Sequence, residues 1–210
     1  KIDLSNLNNL IIDGQDSNFI FTNYNGGFDF TGSKNVTLKN IKLDFDPLAF
    51  TQGTVIDINS SQQTLDVKFE EGYPLPGEKE IMKAGMARAD RHKVYYFDAN
   101  GDMLPNRVDF MQEYKQLNER VYRIKLQAGR VFRNPLEEMN VGNTKITVNL
   151  DPGGGIRTFN IKNCASIKLE NITAYASPGI FIIDSEGEGG NIYRNVKVIQ
   201  KPDTNRLISC

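Results

Sequence analysis

Val36-Thr37-Leu38-Lys39-Asn40-Ile41 and Ile167-Lys168-Leu169-Glu170-Asn171-Ile172 share one pattern: two apolar positions two apart, then Asn, then Ile. Laid on residues 159–178, residues 28–47 extend this match without a gap at a constant offset of 131. Phe28-Asp29-Phe30 falls on Phe159-Asn160-Ile161, and Asp46-Pro47 falls on Ser177-Pro178. A third copy, Tyr193-Arg194-Asn195-Val196-Lys197-Val198, places its Asn 24 residues after Asn171. Leu7-Asn8-Asn9-Leu10-Ile11-Ile12 is a fourth and weaker copy.

A repeat in the low twenties, made of short apolar-alternating strands with Asn between them, is the pattern of a solenoid built from strands. Asn suits the bend because it tolerates the left-handed backbone region better than other residues with a side chain, and its amide can bond the Asn of the next coil. A β-sandwich predicts hairpin turns instead, with no motif returning at one phase. The chain therefore reads as all-β, with a right-handed parallel β-helix at both ends and Asn40, Asn171 and Asn195 as an amide ladder. Leu38 and Leu169 are expected in adjacent coils, about 4.8 Å apart.

Between the copies the character of the sequence changes. Thr54–Ile58 and Thr64–Phe69 flank Asn59-Ser60-Ser61-Gln62-Gln63, a hairpin pattern, and Lys93–Phe97, Val121–Leu126 and Lys145–Leu150 read as further strands. Asp151-Pro152-Gly153-Gly154-Gly155 marks the exit. The domain reading is residues 1–51 as β-helix coils, 52–155 as an inserted small β-barrel or sandwich, and 156–210 as continuing coils. Glu78–Asp90 is the one stretch with a helical reading. Asp98-Ala99-Asn100-Gly101-Asp102 has the spacing of a calcium loop, but the Gly is misplaced and Asp109 stands where the closing Glu belongs, so a turn is favoured. His92, between Arg91 and Lys93, reads as a surface residue, and Cys164 and Cys210 as structural or incidental.

Net charge is −1 and no apolar run reaches bilayer length, so neither nucleic acid nor a membrane is indicated as a partner. No cofactor or resident metal is implied. The chemistry-bearing residues gather at bends. Asp44 and Asp46 sit where the insertion leaves the coil and are the catalytic candidates. Tyr175, Asp184, Glu186, Glu188 and Arg194, on the following bends and coil, are the candidates for substrate binding. Paired carboxylates serve glycoside hydrolysis, and carboxylates with calcium serve β-elimination of uronic acids. Both act on a polysaccharide or oligosaccharide, the partner expected here.

The run Asn40–Val55, together with Ala176-Ser177-Pro178-Gly179 and Gly187–Asn195, resembles the pectin-lyase-like β-helix glycoside hydrolases related to the α-1,3-galactosidases, at the point where their helix leads into an inserted barrel. The resemblance implies a carbohydrate-active protein acting on a galactoside-like or other polysaccharide, secreted or at the cell surface, with the periplasm as an alternative. It also implies that the main catalytic carboxylates, in an Ala-Asp motif and a paired-Asp motif, follow Cys210. Leu207 and Ile208 are read as the start of a further strand. Two other readings stand beside it, a non-catalytic polysaccharide-binding or structural module and a polysaccharide lyase or epimerase.

Overall fold

A computed structural model describes residues 1–23, 26–78, 92–127, 139–149 and 157–208, and among these every regular element is a strand. The chain divides into two compact units, Lys1–Pro47 with Gly155–Ile208 and Leu48–Gly154.

In the first unit each coil supplies a short strand and a longer one. These are β1 (Ile2–Asp3) and β2 (Asn8–Phe21), then β3 (Phe28–Asp29) and β4 (Lys34–Phe45). Six strands of the other unit intervene in sequence before β11 (Arg157–Lys162), β12 (Lys168–Ala174), β13 (Ile180–Ser185) and β14 (Ile192–Val198). The short strands form one sheet, ordered β1-β3-β11-β13, and the long ones another, ordered β14-β12-β4-β2. All these pairings are parallel, which makes the unit a parallel β-helix.

Its register is that of the sequence repeat. Leu169 lies opposite Leu38, Ile172 opposite Ile41 and Phe159 opposite Phe28, while Tyr193 lies opposite Leu169 at the 24-residue offset. The weaker first copy is set by Leu10 against Val36 and Ile12 against Leu38. Parallel pairing in register stacks like on like, so inward side chains form columns. Leu38, Ile41, Phe159, Leu169 and Ile172 are almost wholly buried, and the Phe28 and Phe159 rings stack at 5.3 Å. Cys164, a free thiol, is part of this core; Cys210 lies outside the described residues.

The corners explain the recurring Asn. Asn40, Asn171 and Asn195 have φ of 56°, 53° and 51°. Asn195 Nδ2 donates to Asn171 Oδ1 at 3.0 Å, Asn171 Nδ2 to Asn40 Oδ1 at 3.0 Å, and Asn40 Nδ2 to Asp13 Oδ1 at 2.9 Å. Every amide donates toward the first coil, so the row ends on a group that only accepts. The Asn40 amide holds the Asp13 carboxyl below its ordinary range. A second corner repeats the device with Asn35 Nδ2 donating to Asn9 Oδ1 at 2.8 Å, both residues again left-handed.

The second unit contains β5 (Phe50–Asn59), β6 (Thr64–Phe69), β7 (Lys93–Phe97), β8 (Met103–Gln116), β9 (Val121–Leu126) and β10 (Lys145–Asn149), which close in the order β10-β5-β6-β9-β8-β7. Every pairing is antiparallel, and Val55, Leu65, Val67, Tyr96, Ile124 and Val148 fill the core of this barrel. The stretch Asp98–Asp102 is a turn between β7 and β8: Asp98 Oδ1 accepts from the Asn100 and Asp102 amides, and Gly101 takes φ of 87°. The helical reading of Glu78–Asp90 falls, beyond Glu78, outside the described residues, as does the Asp151–Gly155 exit.

Two features depart from the sequence reading. Strand β8 has no counterpart in it, because Pro105 and Asn106 look like a turn and a bulge between Met111 and Glu113 breaks the alternation. The strand also buries a carboxyl: Asp109, opposite Val94, accepts from Tyr96 Oη at 2.7 Å, and its burial raises its pKa. His92 is not a surface residue. It is fully buried, with Nδ1 donating to the Asn149 carbonyl at 2.8 Å, because it shares the inward phase of Val94 and Tyr96 whatever the charge of its neighbours.

The ladder makes a testable demand. Replacing Asn171 by Ala removes two amide contacts and puts a Cβ without compensation in the left-handed region, a loss of about 2 kcal/mol. Asn171→Gly, which keeps the backbone conformation available, should lose about half as much. Chemical denaturation of the two variants checks the order.

Candidate functional site

Beyond the Asn corner each long strand alternates once more. Ile41 and Leu43 point into the core, so Lys42 and Asp44 belong to the outer face. Register carries that face across the coils: Asn18 lies beside Lys42, Ile20 beside Asp44, and Thr173 on the far side of Lys42. A cavity of about 320 Å³ opens here, lined by Asn18, Ile20, Lys42, Leu43, Asp44, Tyr175, Lys201 and Pro202.

One wall is the segment that follows β14. Ile199 N still bonds the Ala174 carbonyl, as a further strand residue would, but the chain then turns at Lys201-Pro202-Asp203-Thr204, where Thr204 Oγ1 donates to the Lys201 carbonyl. The return leg brings Arg206 back over two coils, a rise of about 10 Å, to the Asp44 carboxylate. Arg206 Nη2 donates to Asp44 Oδ1 at 2.9 Å and Oδ2 at 2.8 Å, and Lys201 Nζ donates to Oδ2 at 2.8 Å. The Phe45 amide adds a fourth hydrogen bond, to Oδ1. Leu207 and Ile208 are therefore not strand residues. Leu207 is a buried residue of this strap, which a reading of local apolar residues alone cannot distinguish from a strand start.

Burial alone would raise the Asp44 pKa, but the donors from Arg206, Lys201 and the Phe45 amide outweigh it and hold the carboxyl below the ordinary carboxylate range. Asp44 is thus an ionised anchor whose oxygens are occupied by protein donors.

The other sequence candidates are distributed elsewhere. Tyr175, partly exposed, lines the cavity with Asp44, and its amide donates to the Leu43 carbonyl. Asp46 is exposed two residues further on and outside the lining. Asp184 accepts from Tyr193 Oη at 2.6 Å and Asn191 Nδ2 at 2.9 Å; burial and this carboxylate together push the Tyr193 phenol up. Glu186 occupies a left-handed corner, φ 57°, and pairs with Lys162 at 3.4 Å. Glu188 pairs with Lys34 at 2.7 Å, and Arg194 with Glu170 at 3.5 Å. Such exposed pairs contribute little to stability. Asn18, Ile20, Lys42, Lys201 and Arg206 were not singled out in the sequence. For Lys42 the signal was available, since it and Asp44 flank the inward Leu43; for Lys201 and Arg206 no local signal exists. Among the described residues no three His, Cys, Asp or Glu side chains gather as a metal set.

No family model matches this chain. A stretch of 70 residues is 34% identical to the α-1,3-galactosidase A of Shewanella woodyi, and it covers 33% of this chain and 12% of that protein.

The strap can be tested through its anchor. Asp44→Ala leaves the buried Arg206 without a counter-charge and should cost about 3 kcal/mol. The sign with pH follows from the depressed folded pKa: the carboxylate's contribution is complete above the ordinary value near 4 and is lost as pH falls through the lower folded value. Acid unfolding followed in parent and variant should converge at low pH.

Proposed function

We propose that this chain is part of a carbohydrate-active protein and that a sugar binds in the cavity beside Tyr175. The observation that carries the reading is the cavity itself. It sets Tyr175, Asn18 and Lys42 beside the exposed apolar side chain of Ile20 on the outer face of a β-helix. Pyranose rings present apolar faces and hydroxyl edges, and such a mixed lining complements both. The partial likeness to a galactosidase supports the same class and makes a galactoside the first ligand to try.

The chemistry of Asp44 argues against a role in proton transfer. A general acid for glycoside cleavage needs a carboxyl whose pKa is raised toward neutrality, opposed by a second carboxylate across the bond. Asp44 is pushed the other way, and it is the one carboxylate among the described lining residues. In this reading the cavity binds and orients the glycan, and any hydrolytic pair of the whole protein draws on groups outside it. The same arrangement disfavours a calcium-assisted lyase centre at Asp44, because calcium needs carboxylate oxygens free to hold it.

Titration calorimetry with galactose-containing oligosaccharides tests this. Tyr175→Ala should weaken binding by about tenfold while leaving thermal unfolding close to that of the parent. Unchanged affinity in Tyr175→Ala would move the glycan away from the cavity. Turnover of an aryl α-galactoside that disappears in Asp46→Asn would place chemistry on the exposed corner instead.

A further inference from the structure

We propose that the cavity selects saccharides bearing an anionic substituent, a uronate carboxylate or a sulfate ester, with Lys42 as the group that receives it; this rests on the carbohydrate-binding reading above. The argument begins with how the lysines of this unit are used. Lys34, Lys39, Lys162 and Lys201 each lie against a carboxylate, those of Glu188, Asp13, Glu186 and Asp44. Lys42, like Lys168 and Lys197, has no such partner among the described residues, and of these three it is the one that lines the cavity, where it is partly buried.

The one carboxylate among the described lining residues cannot serve it. Asp44 stands two residues on along the same face, but its oxygens are taken by Lys201, Arg206 and the Phe45 amide. Lys201 and Arg206 already outnumber the one carboxylate they hold, and Lys42 adds a further positive charge to the lining. Asp46 and Asp203, the remaining carboxylates on the adjoining bend and strap, are exposed and outside the lining. A neutral sugar would satisfy Lys42 only through hydroxyls. An anionic substituent would form a charge-assisted hydrogen bond beside the apolar side chain of Ile20, where such bonds are stronger than in open water.

Register also extends the positive row. Asn18, Lys42, Thr173 and Lys197 are successive outer positions, one per coil, so Lys197 lies two coils from Lys42, about 10 Å away. Lys197 is exposed and also lacks a carboxylate partner among the described residues. A polymer running across the coils with repeated acidic groups would meet Lys42 in the cavity and Lys197 beyond it.

The experiment uses the full chain and three matched galactose-based oligosaccharides: neutral, uronic-acid-bearing and sulfated. At low salt at least one anionic ligand should bind about tenfold tighter than the neutral one, and the two anionic arms identify which substituent is preferred. High salt should shrink that margin. Lys42→Gln should remove most of it and Lys42→Arg should keep it, while Lys34→Gln, whose ammonium is already held by Glu188, should leave it intact. Equal affinity for all three ligands would overturn the inference and leave the carbohydrate reading standing. A preference that survives Lys42→Gln in a normally folded variant would also overturn it. No binding of any of the three would overturn both.

Discussion

The β-helix depends on keeping a left-handed Asn in register at one corner of successive coils. An L-residue avoids this conformation by about 1–2 kcal/mol, and Asn suffers least among residues that can also hydrogen-bond. Once Asn40, Asn171 and Asn195 adopt it, their amides lie one coil apart and close a directional row that ends on Asp13. The row fixes the phase of every coil relative to its neighbour. That phase in turn decides which side chains enter the core, since a slip of one residue would turn each strand inside out. Leu38 over Leu169 and Phe28 over Phe159 are consequences of the corners as much as of hydrophobicity.

The same phase generates the outer face. When Ile41 and Leu43 are inward, Lys42 and Asp44 must be outward, and parallel register aligns them with Asn18 and Ile20 on one side. A flat sheet face would be fully solvated. Here the segment after β14 turns back and delivers Lys201 and Arg206 to Asp44, which converts part of that face into a cavity. Asp44 would be costly to bury alone, and the strap offsets that cost with direct charge-assisted bonds. The result keeps the carboxylate ionised and removes it from proton chemistry, while Lys42 has no carboxylate partner among the described residues.

The structure separates residues that the sequence groups together. Asp44, Asp46, Tyr175, Asp184, Glu186, Glu188 and Arg194 all lie on or near successive bends, and in one dimension they look like the wall of a single groove. In three dimensions Asp44 and Tyr175 share the cavity. Glu186 and Glu188 sit near other corners of the coil and pair with Lys162 and Lys34. Arg194 belongs to an outer row in which Asp13, Lys39, Glu170 and Arg194 alternate in sign from coil to coil. A coil has several corners, and proximity along the chain does not say which of them a loop decorates.

What the sequence by itself determined is the coil: its offsets of 131 and 24 residues, its Asn corners and the identity of its inward columns. These are legible because a solenoid is a translation, so each contact between coils repeats as a pattern at fixed separation. The tertiary structure alone decided that Asp44 meets Lys201 and Arg206, across separations of 157 and 162 residues that no repeat encodes. It likewise decided that His92 is buried beside charged sequence neighbours, that Asp109 lies inside β8, and that Leu207 belongs to a strap and not to a strand. Each of these depends on a single long-range meeting of side chains, and a meeting that happens once leaves no period in the sequence to read.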